Sequence, residues 1–406
     1  MKKAITIICL IVFFLSRATV PLFAQDSKSA AKETSKPAAK ADLNDYFQPE
    51  LLGYLYYYHD GSAGNGKTNS FDISRAYIGA RYKLSDNFSF RYLSDIGHSS
   101  TGEFEMFTKY AYLDWKLNPK ANLLIGLQGT KNFSYAEKAW GYRVIRKAPM
   151  ESFGDYFPTV IKNYTDRLDA RKAASTAAGN TSAANEIANQ KKNFATSSKG
   201  SMSSSADQGI GLSLKPGKNA YIDLIVRNGS GYKKAEDDKQ KDFSARVGGY
   251  FLEKKLHLSA FMEVEPWGGT AVDGSYKSFT NFQYDLFGSY SYKEDFILGV
   301  NFNSKKFAGP YEDITATNFA VFTSFSLAPK KVKALARFDS YRTGFNKNSA
   351  TPNLAELETN ANLFIVGLDF LPDKRVHIIP NLQILKYEDS SIKSNKAFYI
   401  HMQVEL

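Results

Sequence analysis

The sequence has almost no cysteine. Its single cysteine, Cys9, lies in the apolar N-terminal segment, so the rest of the 406-residue chain has no thiol that could form a disulfide. This excludes the small exported domains that disulfides hold together. The chain also lacks apolar runs long enough for membrane-spanning helices. Its one long apolar run, residues 4–15, is shorter than the ~20 residues that such a helix needs.

Motifs for catalysis and metal binding are missing as well. The five histidines form no H-E-x-x-H pattern, and the chain contains no G-x-S-x-G motif. The sequence therefore predicts no metal, no cofactor and no enzymatic activity. A lipase-like barrel enzyme that uses His257 or His401 is an alternative.

One stretch matches the residue pattern of a nucleotide-binding motif but lacks the structural context that the motif needs. Residues 61–68, GSAGNGKT, fit the P-loop pattern G-x-x-x-x-G-K-[ST]. The P-loop needs a helix directly after it, because the helix N-terminus holds the phosphates. The residues that follow here alternate between apolar and polar, which indicates a strand. We interpret the stretch as a polar loop and predict no nucleotide binding.

The N-terminus has the pattern of an export signal. Two lysines precede the apolar run, and Ala24 provides a small residue at the expected cleavage site. We predict a signal peptide at residues 1–24 and a flexible low-complexity leader at residues 25–45. The signal carries three basic residues and no acidic one, so its loss lowers the formal net charge from +11 to +8. In an exported protein this surplus favours anionic solutes or lipopolysaccharide as partners over nucleic acid.

The remainder, residues 46–406, repeats the two-residue period of β-strands. Tyrosine (25) and phenylalanine (30) are abundant, and both fit a pleated sheet. Sixteen alternating segments have about the length of a tilted strand that crosses a bilayer. They are residues 48–58, 70–84, 86–96, 104–117, 120–129, 206–215, 219–229, 241–252, 255–266, 279–291, 294–304, 315–327, 331–341, 361–371, 375–386 and 396–405.

The connections between these segments alternate in length. Tight turns such as LSDN (84–87) and KPGK (215–218) follow every second segment, and longer polar loops lie between them. Short periplasmic turns and long extracellular loops are typical of an outer-membrane barrel. We therefore predict an all-β, antiparallel transmembrane barrel of about sixteen strands. Its apolar side chains face lipid and its polar side chains face an aqueous lumen. The last strand, 396–405, pairs with the first, because an open edge in hydrocarbon leaves backbone groups unsatisfied.

One connection is far longer than the others. Residues 130–205 follow the fifth strand, where the corresponding loop of porins folds into the barrel and narrows the pore. Loops of this length are functional or disordered. We predict that residues 131–157 line the constriction and that residues 170–205 form a surface excursion. A single extended extracellular loop is the alternative.

Basic residues recur on the predicted lumen face and in the long loop. In a water-filled passage they raise the local concentration of anions. The candidate pore-lining residues are Arg75, Arg81, Arg91, Arg227, Arg246 and Arg337 on the strands, and Lys131, Arg143, Arg146 and Lys147 in the loop. The tyrosine-rich stretches 54–59 and 109–115 are interpreted as interfacial girdle and wall; a row of stacked aromatic rings for sugars is the alternative.

Three stretches, 74–97, 111–140 and 207–251, resemble the phosphate-selective porin O and P family. The last is similar to the D-R-G, N-G, K-D and R block of that family through Asp207, Gly209, Asn228, Gly229, Lys241, Asp242 and Arg246. The resemblance implies a trimeric porin of sixteen strands that passes small anions.

Together these observations predict an exported protein of the bacterial outer membrane. We expect a porin for passive diffusion of small hydrophilic solutes that prefers anions, phosphate-like anions among them. Its expected partners are small anionic or polar solutes, outer-membrane lipid including lipopolysaccharide, and two further copies in a homotrimer. A barrel enzyme or a surface barrel that conducts no ions remains as an alternative.

Overall fold

The computed structural model describes residues 46–61, 69–99, 101–152, 169–185, 187–188, 204–236, 239–270, 275–293, 295–308, 314–345, 360–388 and 393–405. The predicted signal peptide and leader, residues 1–24 and 25–45, lie outside these ranges. The same holds for most of the stretch that matches the letters of a P-loop, of which Gly61 alone is described.

The sixteen strands form one closed antiparallel barrel, which confirms the predicted fold class. Each strand pairs with its two neighbours in sequence, and β1 pairs with β16. The strands are β1 (Phe47–Asp60), β2 (Asn69–Lys83), β3 (Phe88–His98), β4 (Phe104–Asn118), β5 (Ala121–Gly129), β6 (Ala206–Leu214), β7 (Ala220–Arg227), β8 (Asp242–Phe251), β9 (Leu256–Thr270), β10 (Tyr276–Tyr292), β11 (Phe296–Phe307), β12 (Ile314–Ala328), β13 (Val332–Phe345), β14 (Ala361–Asp373), β15 (Val376–Tyr387) and β16 (Asn395–Glu405).

The last strand closes the barrel as the sequence predicts. Leu52 pairs with Glu405 at one end of the seam, and Asp60 pairs with Ala397 at the other. The other edge of β16 pairs with β15. Both edges of β16 are therefore satisfied, and the barrel has no open backbone edge in the membrane.

The two ends of the barrel differ in their connections. At one end, here called the turn end, seven connections contain between two and five residues. At the other, the loop end, connections reach the 76 residues of 130–205. At this end β9, β10 and β13 extend beyond the predicted segments 255–266, 279–291 and 331–341, because their backbone pairing continues towards the rim. Among the described residues, no helix is long and apolar enough to cross a membrane.

The outer face of the barrel is apolar. On β10 the outward side chains of Tyr284 and Leu286 are 38% and 54% exposed, whereas the inward Gln283 and Asp285 are 1% and 2% exposed. The same alternation holds on β11, where Leu298 and other apolar side chains point outward. The predicted orientation, apolar towards lipid and polar inward, is thus confirmed for this part of the wall.

One part of the inner face departs from this rule. On β12–β15 many inward side chains are apolar and buried, as at Phe322 (1% exposed) and Ile365 (0%). They alternate with buried polar side chains such as Asp339. The apolar side chains belong to a buried cluster that also contains Trp140 and Ile145 of the long connection. Apolar side chains point inward here because a protein segment, rather than water, covers them. The barrel therefore has its core between this wall and the long connection.

Candidate pore constriction

The long connection after β5 turns into the barrel at once. Lys131 has a φ of 64°, a left-handed conformation that reverses the chain direction at the end of the strand. A short helix, α1 (Ser134–Trp140), follows and ends at Gly141 with a φ of 72°, which glycine adopts at little cost. Residues 142–152 then run along the inner wall and include a helical turn at 149–152. We call residues 130–152 the constriction loop.

A buried arginine fixes the start of the constriction loop. Arg246 of β8 is 1% exposed and donates to the carbonyl of Lys131 at 2.9 Å and to the carbonyl of Asn132. The same guanidinium pairs with Asp285 at 2.9 Å. Buried carbonyls need donors, and a charged donor is stronger than a neutral one. Arg246 therefore acts as an anchor between loop and wall.

A second arginine holds the far part of the loop. Arg337 of β13 donates to the carbonyl of Lys147 at 2.6 Å and pairs with Asp339 at 2.6 Å. Its guanidinium also lies 5.2 Å from the ring centre of Trp140, within the range of a cation–π contact. Ser152 adds a hydrogen bond to the Tyr341 hydroxyl at 2.9 Å. The loop is thus attached at both of its described ends.

Apolar packing joins these two anchors. Trp140 is 1% exposed, and its indole N–H donates to the Arg146 carbonyl at 2.9 Å. The ring meets Phe322 of β12 edge-on, with centroids 5.5 Å apart. On the β15 side, the Gln383 amide donates to the Ile145 carbonyl. The loop consequently packs against the inner wall from β8 to β15, and the remaining cavities lie on the side of β1–β6.

The open space lies between the constriction loop and this remaining wall. A cavity of about 350 Å³ adjoins β1–β4 and is lined by three cations (Arg91, Lys109 and Arg143) and three carboxylates (Glu50, Glu137 and Glu405) among other residues. A second cavity of about 150 Å³ lies against the loop itself. It is lined by the four cations Arg91, Lys109, Lys131 and Arg143, and by the single carboxylate of Glu137.

Ion pairs offset part of this positive charge. Arg143 contacts the carboxylates of both Glu137 and Glu151. Arg91 donates to Glu50 at 3.0 Å. Burial raises the pKa of Glu137, and the neighbouring Glu151 carboxylate raises it further. Burial also opposes ionisation of Glu151, but the Arg143 guanidinium outweighs it and lowers the pKa of Glu151.

The ten predicted pore-lining residues fall into different groups. All of the strand arginines point into the barrel, but their accessibility differs. Arg81 and Arg75 remain 33% and 25% exposed, with Asp114 and Asp95 as their respective partners. Arg91 is 22% exposed and lines both cavities.

The other three strand arginines do not reach open water. Arg246 and Arg337 are the loop anchors described above. Arg227 is 5% exposed and pairs with Glu263 at 2.6 Å. Prediction from the sequence placed these three along the pore because alternation identifies the inward face but not what covers it. The structure places Arg246 and Arg337 in contacts between loop and wall, and Arg227 among the carboxylates of neighbouring strands.

The loop cations also differ from one another. Lys131 and Arg143 line the 150 Å³ cavity. Arg146 donates to the Ser152 hydroxyl at 2.8 Å, and the Lys147 carbonyl belongs to the Arg337 anchor. Residues 153–157 of the predicted constriction lie outside the described part of the chain. In the predicted surface excursion, residues 169–183 are mainly exposed, whereas Ala184 is buried and Ile187 packs against the inner cluster.

One cation beside the cavities, Lys109, was missed from the sequence; it is 5% exposed, and its ammonium lies 3.9 Å from the Asp95 carboxylate. It occupies a β-bulge of β4, where Tyr110 pairs with Leu93 and Thr108 pairs with Ser94, so that Lys109 has no partner in the ladder. The extra residue lets both Lys109 and Tyr110 point inward. Strict alternation cannot predict this, although a lysine in the middle of a strand is a usable signal.

The tyrosine-rich stretches divide between the two faces of the wall. Trp115 is 38% exposed on the outer face, whereas Tyr54 and Tyr112 are 6% and 7% exposed and face the interior. The Lys109 ammonium lies 4.5 Å from the ring centre of Tyr77, a cation–π contact, and the Arg91 guanidinium lies 4.6 Å from that of Tyr110. These rings support the cations of the open wall. Their phenol oxygens add polar groups to the passage.

The similarity block of 207–251 has a structural role in this molecule. Asp207 accepts a hydrogen bond from the backbone N–H of Gly229 at 2.8 Å. Asp207 and Asp242 both lie within 3.7 Å of the buried Arg227 guanidinium. The block thus joins β6, β7 and β8 at the loop end rather than lining the open cavities.

The histidines considered for catalysis are enclosed. His257 is 7% exposed and lies 2.8 Å from the Tyr221 hydroxyl, and His401 is 4% exposed and lies 2.8 Å from the Asn381 amide. Within the described ranges, no group of three or more histidine or acidic side chains is arranged to hold a metal ion.

Comparisons with known proteins agree with this architecture. The family model described as phosphate-selective porin O and P matches residues 54–137, which span β1 to the constriction loop. The resemblance predicted from the sequence is confirmed over this range. The search of curated proteins gave no significant match.

Solved structures of outer-membrane proteins share the fold at low sequence identity. An anion-selective porin from Comamonas acidovorans is 12% identical, with a TM-score of 0.58 over 89% of this chain and 100% of its own. The outer membrane channel DcaP of Acinetobacter baumannii is 11% identical, with a TM-score of 0.57 over 89% of this chain and 97% of its own. The trimer form of OmpT of Vibrio cholerae is 12% identical, with a TM-score of 0.56 over 89% and 100%. The barrel therefore has the fold of an outer-membrane porin.

Proposed function

We propose that the protein is an outer-membrane porin that lets small hydrophilic solutes diffuse between the constriction loop and the wall of β1–β6, with a preference for anions. One observation carries the proposal. The cavity beside the loop is lined by the cations Arg91, Lys109, Lys131 and Arg143 and by only one carboxylate, that of Glu137. Cations around a narrow passage with low-dielectric walls concentrate anions.

The expected preference is moderate in strength. Arg91, Lys109 and Arg143 have carboxylate partners, and these partners reduce the field that a passing ion experiences. Three arginines that could have added to this field are buried in the wall. The preference therefore depends on a small group of residues around the loop, not on a general basic surplus.

The similarity to other porins is consistent with this proposal. The matching family is described as phosphate-selective, and one fold neighbour is described as anion-selective. We infer that phosphate-like anions are among the solutes and that three copies assemble, as in the trimer form of the Vibrio protein. Outer-membrane lipid, lipopolysaccharide included, would surround the apolar outer face.

Ion conductance across a planar lipid bilayer tests the proposal. We expect stepwise conductance and, under a KCl gradient, a reversal potential with the sign of an anion-preferring channel. A cation-preferring sign would contradict the role of the four cations. Complete absence of conductance would favour a non-conducting surface barrel. Phosphate added to the chloride solution tests the narrower inference, since a phosphate-binding passage should show a reduced chloride current.

A further inference from the structure

The turn end of the barrel is strongly basic. Its seven connections contain ten lysine or arginine residues and four acidic residues. The β6–β7 turn holds Lys215 and Lys218 and no acidic residue, and both lysines are exposed. None of this charge faces the constriction loop, so the proposed channel function does not explain it.

The backbone of these turns gives a second reason to regard the charge as functional. Lys254, Lys293 and Lys330 have φ values of 68°, 51° and 58°, which lie in the left-handed region. Glycine and asparagine adopt this region more readily than lysine does. Lysine therefore occupies three turn positions where backbone conformation alone favours another residue.

A groove on the outer face begins beside two of these turns. It has a volume of about 1030 Å³, crosses β7–β11 and includes Lys218 at its rim. Its floor is a row of small residues. Ala220 pairs with Gly249, and Leu258 pairs with both Gly249 and Gly288. The depression forms because Gly249 and Gly288, on either side of Leu258, have no side chains.

The groove starts close to the membrane surface. Gly249 precedes the β8–β9 turn by only a few residues, a distance of roughly 10 Å at the rise of a β-strand. The backbone N–H of Tyr250, near the end of β8, donates to the carbonyl of Asn219 in the β6–β7 turn at 2.8 Å. Phe251 and Leu258, on either side of the β8–β9 turn, line the groove, so Lys218 at its rim and Lys254 on that turn lie towards the same end of it.

We propose that this surface, the groove together with Lys218 and Lys254, binds a phospholipid with a net negative headgroup. One acyl chain lies in the groove, and the phosphate lies between the two lysines. Charge complementarity selects this occupant over a second copy of the chain, because the turn ends carry ten basic and four acidic residues and two copies would therefore repel each other there. Basic residues at the membrane surface attract anionic headgroups in this manner.

Lipid retention by the full-length protein tests the proposal. The protein is exposed to equal amounts of phosphatidylglycerol and phosphatidylcholine with identical acyl chains, and native mass spectrometry at low ionic strength counts the lipids that stay bound. We expect phosphatidylglycerol to be retained in excess. Lys218→Gln with Lys254→Gln should lower that excess by about fivefold for each lysine. The matched control, Lys234→Gln with Lys239→Gln, removes two exposed lysines at the loop end and should change nothing.

A third variant tests the groove independently of charge. In Gly288→Leu the new side chain meets the flexible end of Leu258, so the barrel can accommodate it, and circular dichroism checks the fold. Retention of both lipids should fall. Equal retention of the two headgroups by the unmodified protein, or an equal loss in the loop-end control, would overturn the proposal. Dissociation of the oligomer by Gly288→Leu would also overturn it, since the groove would then be a subunit interface.

Discussion

Replacement of Arg143 by glutamine is the most direct test of the constriction. Arg143 lies between Glu137 and Glu151 and lines the open cavities. The substitution removes one positive charge and leaves the two carboxylates without their shared partner. A passing anion loses an attraction, and a passing cation gains one.

The size of the effect follows from Coulomb's law. At a separation of about 6 Å in water, one unit charge changes the energy of a monovalent ion by about 0.7 kcal/mol. That energy corresponds to roughly a threefold change in local ion concentration, because RT is about 0.6 kcal/mol. Anions decrease and cations increase by this factor, so the anion-to-cation permeability ratio should fall about tenfold. Dissolved salt screens the interaction of charges that are more than ~3 Å apart at 1 M, but only of those more than ~10 Å apart at 0.1 M.

The measurement is the reversal potential of single channels under a KCl gradient with a mean concentration of about 0.1 M, repeated near 1 M, where screening should weaken the effect. Arg143→Lys retains the charge and should keep most of the preference. Lys293→Gln removes an exposed charge from a turn and should have no effect. An unchanged reversal potential for Arg143→Gln in dilute salt would show that the ions do not pass this part of the loop.

Three further outcomes follow from the same contacts. Arg246→Met leaves the buried Asp285 without its ion-pair partner, so the free energy of unfolding in urea titrations should fall by about 3–5 kcal/mol. Single-channel conductance should rise as the loop loosens. The double variant Arg246→Met with Asp285→Leu should regain part of the stability. Trp140→Ala removes a buried ring and should cost about 3–5 kcal/mol by thermal unfolding, far more than Trp115→Ala on the outer face. Because its pKa is raised, Glu137 gains a proton before ordinary carboxylates do as the pH falls. Anion preference should therefore increase from neutral to mildly acidic pH. The same pH dependence in Glu137→Gln would contradict this assignment.

Alternation along the chain was enough to predict the barrel wall. The segment 361–371 corresponds to β14 (Ala361–Asp373), and the segment 396–405 corresponds to β16 (Asn395–Glu405). Such agreement is possible because lipid and water impose opposite requirements on neighbouring residues of a strand. Closure then follows, since an open edge in hydrocarbon is too costly.

An apolar run in the sequence of β14 indicates a feature of the wall that strict alternation does not predict. Residues 363–368, LFIVGL, are apolar without alternation. A continuous apolar run in a strand indicates burial on both faces. Here the outer residues face lipid, and Leu363 and Ile365 pack in the inner cluster with the constriction loop. The run could have identified β14 as part of the wall against which the loop docks.

The sequence by itself determined the number of strands, their faces and the position of the long connection, because these depend on the local two-residue period and on the lengths of the connections. Only the tertiary structure decided which inward arginines are available to a solute. Arg246 finds the loop carbonyls and Asp285, which is 39 residues distant in sequence, while Arg143 stays beside the open cavities. Such partners meet only when the barrel has closed and the loop has folded onto one side of it.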